Sequence, residues 1–226
     1  MFISVLPRPG IMSPRATGRF YYDIISPFTY LFLKMRAPLV KKMDLTPVPI
    51  FFPGLLRLQA NVGPAEFEEK RRYTYASCVW RAKKLNVPLT FPKRHPFSSI
   101  HAQRLLLQEN ADWATIDRAF DFVWAQGNDP ESQFGDFCDA VGLPRSTPLP
   151  SDKAVKDTLL QNTKDAAAAG VFGVPSVEVN GRVFWGCDHL EWLLDFVDNP
   201  EMFNDPAYAA AWATENPLVP AKESKA

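Results

Sequence analysis

The chain has 226 residues and a mass of 25.5 kDa, long enough to bury a hydrophobic core without metals or disulfides. Its 25 basic residues balance 25 acidic residues, so no overall field attracts nucleic acid or an anionic membrane. Hydrophobic residues make up 46% and charged residues 22%, which is the range of folded globular proteins. No apolar run reaches the length that a bilayer requires, so the sequence predicts no transmembrane helix.

The first eighteen residues contain two early prolines and no uninterrupted apolar stretch, which predicts a flexible arm rather than a secretory signal. A cytoplasmic location is therefore expected. The three cysteines, Cys78, Cys138 and Cys187, are odd in number and widely spaced. They form neither a CxxC redox pair nor a disulfide framework, so buried, reduced thiols are expected.

The first elements predicted along the chain are a strand, a helix and a second strand. Residues 19–25 are β-branched and aromatic, which indicates a buried strand. Ser26 is predicted to be the N-cap of the next helix, with Pro27 as its first residue, and Pro38 kinks or ends that helix. Residues 44–52 form the second strand, and their two prolines argue against a central position in a sheet.

Residues 64–170 show helical periodicity interrupted by polar or proline-rich turns. A β-hairpin follows, because Asn180-Gly181 suits a two-residue turn between residues 176–179 and 182–185. An amphipathic helix over residues 188–197 completes the pattern. The helices predicted within the long segment cover residues 65–85, 100–109, 113–126, 131–141 and 152–169.

This order of elements is the layout of an α/β, thioredoxin-like fold, with a βαβ half and a ββα half separated by a large all-helical insertion. The predicted domain division follows directly. It comprises an N-terminal arm (1–18), a thioredoxin-like domain (19–55 and 171–200), an inserted helical subdomain (56–170) and a C-terminal tail (201–226).

Three segments carry a family resemblance. They read YDIISPFTYL at 22–31, NVGP at 61–64 followed by KRRY at 70–73, and GVFGVPS at 170–176 followed by FWGCD at 184–188. With these motifs the chain resembles the 2-hydroxychromene-2-carboxylate isomerases and the related kappa-class glutathione transferases, which belong to the DsbA-like branch of the thioredoxin fold. The resemblance implies glutathione as the cofactor.

Ser26 stands where thioredoxin relatives carry a reactive cysteine, at the positive end of a helix. No histidine or lysine neighbours it in sequence, so it is interpreted as a hydrogen-bond donor and not as a nucleophile. The resemblance implies that its hydroxyl, together with the helix dipole, favours the thiolate of bound glutathione. The alternative is that Ser26 only caps the helix.

Two other segments of the resemblance imply contacts with the glutathione peptide. The bond between Val174 and Pro175 is expected to be cis and to present the main chain of Val174 to an extended peptide; the alternative is a rigid turn. The resemblance also implies that Cys187 and Asp188 contact the cofactor, with Asp188 receiving the γ-glutamyl ammonium group. From its spacing to Glu191 alone, Asp188 is predicted to be an N-cap with a capping box, and both roles are compatible.

The resemblance directs Asn61 and Lys70 toward the glycyl carboxylate of glutathione, which suits a point charge. Tyr73 and Trp80 follow Lys70 at helical spacing. They either wall the pocket for the organic substrate or belong to the core, and the pattern favours the core.

The function implied is a glutathione-dependent isomerisation of a small aromatic-pathway substrate through a transient glutathione adduct. A kappa-type transferase acting on an electrophile needs the same glutathione site. A third alternative, a glutathione-binding protein without turnover, is suggested by Ser77, Cys187 and His189, where relatives commonly carry other residues. A thiol-disulfide oxidoreductase is disfavoured by the missing CxxC, and the three histidines show no spacing for a metal site. Relatives are homodimers, so a homodimer is expected.

Overall fold

A computed structural model describes residues 15–217 and contains a four-stranded mixed sheet. The spatial order of the strands is β2-β1-β3-β4, with β1 parallel to β2 and the other two neighbouring pairs antiparallel. The strands are β1 (Ala16–Tyr22), β2 (Met43–Pro49), β3 (Ser176–Val179) and β4 (Arg182–Trp185). This topology confirms the predicted thioredoxin-like core.

The last three residues of the interior strand β1 are buried, and they face both sides of the sheet. Phe20 and Tyr22 point into the larger hydrophobic cluster, which includes residues of the helical segment, whereas Tyr21 points into a smaller cluster with Leu55 and Val171. Successive side chains of a strand alternate between faces, so one buried run supplies both layers. β1 begins at Ala16, three residues before the predicted domain boundary. The remainder of the predicted arm, residues 1–14, lies outside the described residues.

Strand β2 lies at the edge of the sheet, which explains its prolines. The N–H of Ile50 donates to the carbonyl of Tyr22 in β1 at 3.0 Å. By the two-residue alternation of a strand, the nitrogens of Pro47 and Pro49 face away from β1, where no ladder donor is needed. The strand begins one residue before the predicted start at residue 44 and ends three residues before the predicted end at residue 52.

Three helices belong to the first half of the fold. They are α1 (Pro27–Met35), α2 (Ala37–Lys42) and α3 (Phe52–Leu58). The predicted interruption at Pro38 is confirmed, because α1 ends at Met35 and Pro38 lies in the first turn of α2. A proline is tolerated there because first-turn N–H groups have no partner within the helix.

The long middle segment is helical, as predicted. Its helices are α4 (Glu68–Leu85), α5 (Ile100–Gln108), α6 (Trp113–Phe120), α7 (Phe134–Ala140) and α8 (Lys153–Ala168). Two differences are local. A short 3₁₀ turn, Pro64–Glu66, precedes α4, and residues Asp121–Ala125 continue α6 as a π-helical turn. α8 packs against α3 and β2, so the last predicted helix of the insertion covers one face of the sheet.

The C-terminal part forms the predicted hairpin and a closing helix. Asn180 and Gly181 have φ angles of 50° and 71°, the positive values that a type I′ turn requires. Helix α9 (Leu190–Asp198) is followed by a 3₁₀ turn, Pro200–Asn204, and by α10 (Pro206–Trp212). Within residues 15–217 no helix is long and apolar enough to span a membrane.

The predicted capping role of Asp188 is wrong. Helix α9 begins at Leu190, and its N-cap is His189, which makes no side-chain capping hydrogen bond. Gly186 has a φ of +91°, and this turn carries Asp188 two residues away from the helix start. Among the described residues, no N–H at the start of α9 donates to the carboxylate of Asp188.

Candidate functional site

Ser26 caps helix α1 and is nearly buried, with 7% of its surface exposed. Its Oγ accepts a hydrogen bond from the N–H of Thr29 at 3.2 Å and donates to the carbonyl of Val174, also at 3.2 Å. The predicted N-cap is therefore confirmed, with Pro27 in the first turn. The hydroxyl lies at the end of α1 where the helix dipole is positive.

The bond between Val174 and Pro175 is cis, as predicted. No acceptor within residues 15–217 meets the main-chain N–H of Val174. The carbonyl of Pro175 accepts from the N–H of Gly186 at 2.9 Å, so the turn that leads to Asp188 lies beside the cis-proline loop. The structure thus brings together Ser26, Val174, Pro175 and the start of the 186–188 turn.

The segment between β1 and Ser26 is held by two buried side chains of the helical insertion. Gln103 accepts from the N–H of Ile24 at 3.2 Å and donates to the carbonyls of Tyr22 and Ile50, each at 2.9 Å. The indole N–H of Trp124 donates to the carbonyl of Ile24 at 2.8 Å. These contacts satisfy main-chain groups that a buried loop would otherwise leave unpaired.

Asp23 is a fully buried carboxylate three residues before Ser26. Its two oxygens accept from the N–H of Ile25 at 3.0 Å, the N–H of Phe52 at 2.8 Å and the hydroxyl of Ser99 at 3.0 Å. Burial raises the pKa of Asp23 to about 6, although the three hydrogen bonds oppose the shift. Asp23 therefore ties β1, α3 and the insertion together immediately before Ser26.

His95 contacts the same segment from the loop between α4 and α5. Its Nε2 lies 2.8 Å from the carbonyl of Ile25, and its Nδ1 lies 2.5 Å from the hydroxyl of Tyr75 on α4. Burial lowers the pKa of His95, and the hydrogen bond to Ile25 opposes that shift. The spacing of His95 in the sequence bears only on metal ligation, and no local motif indicates this contact 70 residues away.

Asp188 is exposed, and its described ionic contact is with His189, at 3.8 Å between Asp188 Oδ1 and His189 Nδ1. The same His189 nitrogen lies 2.8 Å from the carbonyl of Trp185. Cys187, predicted to contact the cofactor, lies instead in the core with 1% of its surface exposed. The structure therefore offers Asp188, and not Cys187, to solvent beside the cis-proline loop.

Asn61 precedes α4 and Lys70 lies in its first turn, and both residues are exposed. The side-chain oxygen of Asn61 accepts from the N–H of Val62 at 2.8 Å, and Lys70 Nζ lies 4.8 Å from the centre of the Phe67 ring. Within residues 15–217 neither residue forms a hydrogen bond or an ion pair with Ser26. In the same range the ammonium group of Lys70 has no hydrogen bond and no ion pair. The cation is thus available to an anionic ligand.

The interpretation of Tyr73 and Trp80 as core residues is wrong. Tyr73 is 78% exposed and Trp80 is 56% exposed. The residues that α4 buries are Cys78 and Ala82. The ring of Trp80 lies 5.6 Å from Lys84 Nζ. The remaining interpretation of Tyr73 and Trp80, contact with an organic substrate, stays a prediction.

The three cysteines are free and buried, as predicted. Burial raises the pKa of Cys78 to about 12 and that of Cys187 to about 11, and it raises the pKa of Cys138 as well. Such thiols remain protonated at neutral pH and are poor nucleophiles. Within residues 15–217 no cluster of three or more histidine, cysteine, aspartate or glutamate side chains has the arrangement of a metal site.

Comparison with protein families agrees with this geometry. Residues 19–198 match the DsbA-like thioredoxin domain, and the chain belongs to that family. The 2-hydroxychromene-2-carboxylate isomerase of Sphingobium xenophagum is 29% identical over 188 residues, covering 79% of this chain and 96% of the relative. Glutathione S-transferase kappa 2 of Caenorhabditis elegans is 28% identical over 213 residues, covering 84% and 95%.

A solved structure of 2-hydroxychromene-2-carboxylate isomerase has the same fold. It superposes with a TM-score of 0.69 at 23% identity, covering 88% of this chain and 100% of the solved chain. The resemblance inferred from the three motifs is thereby confirmed, and the relatives are isomerases and glutathione transferases.

Proposed function

We propose that this protein is a glutathione-dependent isomerase of the 2-hydroxychromene-2-carboxylate type, active in the breakdown of aromatic compounds. The observation that carries the proposal is the Ser26 hydroxyl, which lies at the start of α1 and 3.2 Å from the carbonyl of Val174. A hydroxyl at this position has no redox chemistry, but it donates a hydrogen bond that a neighbouring sulfur atom can accept. Relatives with isomerase names support the assignment.

Three groups of the proposed site suit a charged peptide such as glutathione. Val174 offers an unpaired main-chain N–H, Lys70 offers an exposed ammonium group, and Asp188 offers an exposed carboxylate. In the proposal Lys70 and Asn61 hold the glycyl carboxylate, Val174 pairs with the peptide main chain, and Asp188 receives the γ-glutamyl ammonium group.

Glutathione, when bound, supplies the sulfur nucleophile for the reaction. The protein's own contribution is orientation and electrostatics. When glutathione binds, the Ser26 O–H turns from the carbonyl of Val174 to the sulfur, and the positive end of α1 favours the anionic form of that sulfur. Tyr73 and Trp80 are proposed to contact the aromatic part of the substrate, since both rings are exposed on the helix that carries Lys70.

Calorimetric titration with reduced glutathione tests whether this compound is the cofactor. The wild type and the single variants Ser26→Ala and Lys70→Ala are titrated in parallel. Saturable binding that Lys70→Ala weakens supports the proposed site. Absorbance or NMR spectra then follow the interconversion of 2-hydroxychromene-2-carboxylate and its ring-opened isomer, with and without glutathione. Absence of glutathione binding, or isomerisation at the same rate without it, contradicts the proposal.

A kappa-type transferase is the second candidate, because the alignment with the nematode kappa 2 enzyme extends over 213 residues. The glutathione site is common to both activities, so the substrate assay separates them. Conjugation of an aryl chloride with glutathione, without isomerisation, assigns the transferase. Glutathione binding without either reaction assigns a binding protein that lacks turnover.

We also propose that the protein is a cytoplasmic homodimer. Three buried, free thiols suit a reducing compartment that is rich in glutathione. The C-terminal segment leaves Trp212 56% exposed, which offers apolar surface to a second subunit. Sedimentation equilibrium tests this state, and a concentration-independent mass of one chain contradicts it.

A further inference from the structure

In each of the three consecutive peptide groups before Ser26, both the carbonyl and the N–H form a hydrogen bond. The group between Ile25 and Ser26 is the last of them. Its carbonyl lies 2.8 Å from His95 Nε2, and its N–H donates to the carbonyl of Asp23 at 3.1 Å. The φ angle of Ser26, −95°, relates this peptide plane to the rest of the residue and influences the side-chain rotamer, so a fixed plane restricts the directions open to the Ser26 hydroxyl.

The two contacts of His95 define its tautomer. Because the carbonyl of Ile25 has no proton, Nε2 must carry the hydrogen and donate it. Nδ1 then has a free electron pair and accepts from the hydroxyl of Tyr75 at 2.5 Å. The imidazole therefore bridges the carbonyl before Ser26 and a side chain of α4.

Aromatic rings restrict the orientation of the imidazole. The His95 ring lies in edge contact with Trp124, Phe97 and Phe91, at centroid distances of 5.2, 5.9 and 6.4 Å. Such packing leaves few alternative orientations, which is the requirement for a residue that positions another group.

Tyr75 connects the His95 imidazole to α4, the helix that carries Lys70 of the proposed site. It lies on α4 five residues after Lys70, and α4 packs against α1. One imidazole thus links the helix that carries the cation to the peptide group that precedes the Ser26 hydroxyl.

We propose that His95 is a positioning residue for the Ser26 hydroxyl and that Tyr75 holds it in the required tautomer. The proposal rests on the proposed function for its chemical purpose, the stabilisation of a thiolate. Its structural content is independent of glutathione and can be tested in the free protein.

The test uses a Ser26→Cys background, in which a thiol occupies the N-cap of α1 and reports the local electrostatics. The pKa of that thiol is measured from thiolate absorbance and from the pH dependence of alkylation. The native cysteines do not interfere, because Cys78, Cys138 and Cys187 are buried and have raised pKa values. Three further changes are introduced singly: His95→Leu, His95→Gln and, as a matched control, His101→Gln.

His95→Leu removes the donor to Ile25, so the thiol pKa is expected to rise by about one unit, a tenfold loss of thiolate at fixed pH. His95→Gln retains an N–H donor and is expected to restore most of the shift. His101 contacts Phe134 in the insertion, and its substitution is expected to leave the thiol pKa unchanged. Tyr75→Phe, which keeps the ring, is expected to shift the pKa in the same direction as His95→Leu by a smaller amount.

An unchanged thiol pKa in the His95→Leu and Tyr75→Phe variants overturns the proposal and leaves His95 a purely structural residue. If His95→Leu does not fold, the comparison of Tyr75→Phe with the background decides the result. Glutathione titration of the wild type is run in parallel. Failure of glutathione to bind removes the proposed function, whereas a His95-dependent thiol pKa in the free protein still establishes the positioning role.

Discussion

The hydroxyl of Ser26 donates a hydrogen bond to the carbonyl of Val174, a residue 148 positions later in the chain. The same oxygen accepts the N–H of Thr29 and so caps helix α1. One small side chain therefore joins the βαβ half of the core to the ββα half at the point where a thioredoxin relative carries its sulfur. Among the described contacts its acceptor is a main-chain carbonyl and not a base, which agrees with a donor and not a nucleophile.

Ser26→Ala is expected to lower the free energy of unfolding by about 1 kcal/mol, because the helix loses its cap. It is also expected to raise the thiol pKa of bound glutathione, because a donor to the sulfur is lost. Urea unfolding measures the first effect, and thiolate absorbance of the complex measures the second.

Asp112→Ala provides the matched control for Ser26→Ala. Asp112 caps α6 by accepting from the N–H of Thr115 at 2.8 Å, and it belongs to the helical insertion. Its loss is expected to reduce stability without changing the thiol pKa. If both variants leave the thiol pKa unchanged, Ser26 is only a helix cap.

Lys70→Ala is expected to weaken glutathione binding about tenfold without changing the midpoint of thermal unfolding. Lys70 is exposed and its ammonium group lies over the Phe67 ring, so its removal disturbs little structure. Lys83→Ala, which removes the same charge near the other end of α4, serves as the control. Equal weakening by both substitutions indicates general attraction of an anion by the helix and contradicts a specific contact.

The sequence was sufficient for the elements whose signals are local. The hairpin follows from Asn180-Gly181, and the start of α1 follows from Ser26 and Pro27, because each of these residues acts within its own turn. The exposure of Tyr73 and Trp80 did not follow, since helical spacing shows that residues share a face but not what covers that face.

The contacts that hold the Ser26 segment could not be predicted for a related reason. Gln103 and Trp124 reach Ile24 from 79 and 100 residues away, and no periodic pattern marks a polar atom that pairs with a distant main chain. The motif identified Asp23 but gave it no role, because the role depends on Phe52 and Ser99. Sequence reasoning therefore identified the Ser26 hydroxyl and missed the groups that orient it.

A cation of the sheet contacts two aromatic rings of the C-terminal segment, and these rings also contact each other. The guanidinium carbon of Arg182 on β4 lies 4.9 Å from the centre of the Phe203 ring and 4.8 Å from the Trp212 ring. Arg182→Ala is expected to increase amide hydrogen exchange in Pro206–Trp212 several-fold, because about 1 kcal/mol of attraction is lost. Lys153→Ala, on distant α8, is the control. Unchanged exchange in α10 shows that the aromatic contacts alone hold the segment.

Asp23→Asn is expected to change how stability depends on pH. Burial raises the pKa of Asp23 to about 6, so the folded state retains a proton that the unfolded chain releases near pH 4. The wild type therefore loses stability relative to the variant as pH rises from about 4 to 6, by about 3 kcal/mol in total. Urea unfolding of both proteins across this range measures the difference. A stability difference that is independent of pH contradicts the raised pKa.

His95→Gln is expected to show the opposite pH dependence. Burial lowers the pKa of His95, so the unfolded chain binds a proton below its ordinary value of 6.5 before the folded protein does. The stability that the neutral imidazole contributes is complete above pH 6.5 and is lost as pH falls toward the folded pKa, whereas glutamine does not titrate. Asp23 is present in both proteins, so its own contribution cancels in their difference. Nitrogen NMR of the wild-type imidazole provides the direct check. A proton on Nε2 with Nδ1 still unprotonated below pH 6.5 agrees with donation to Ile25 and a lowered pKa, and a proton on Nδ1 alone contradicts it.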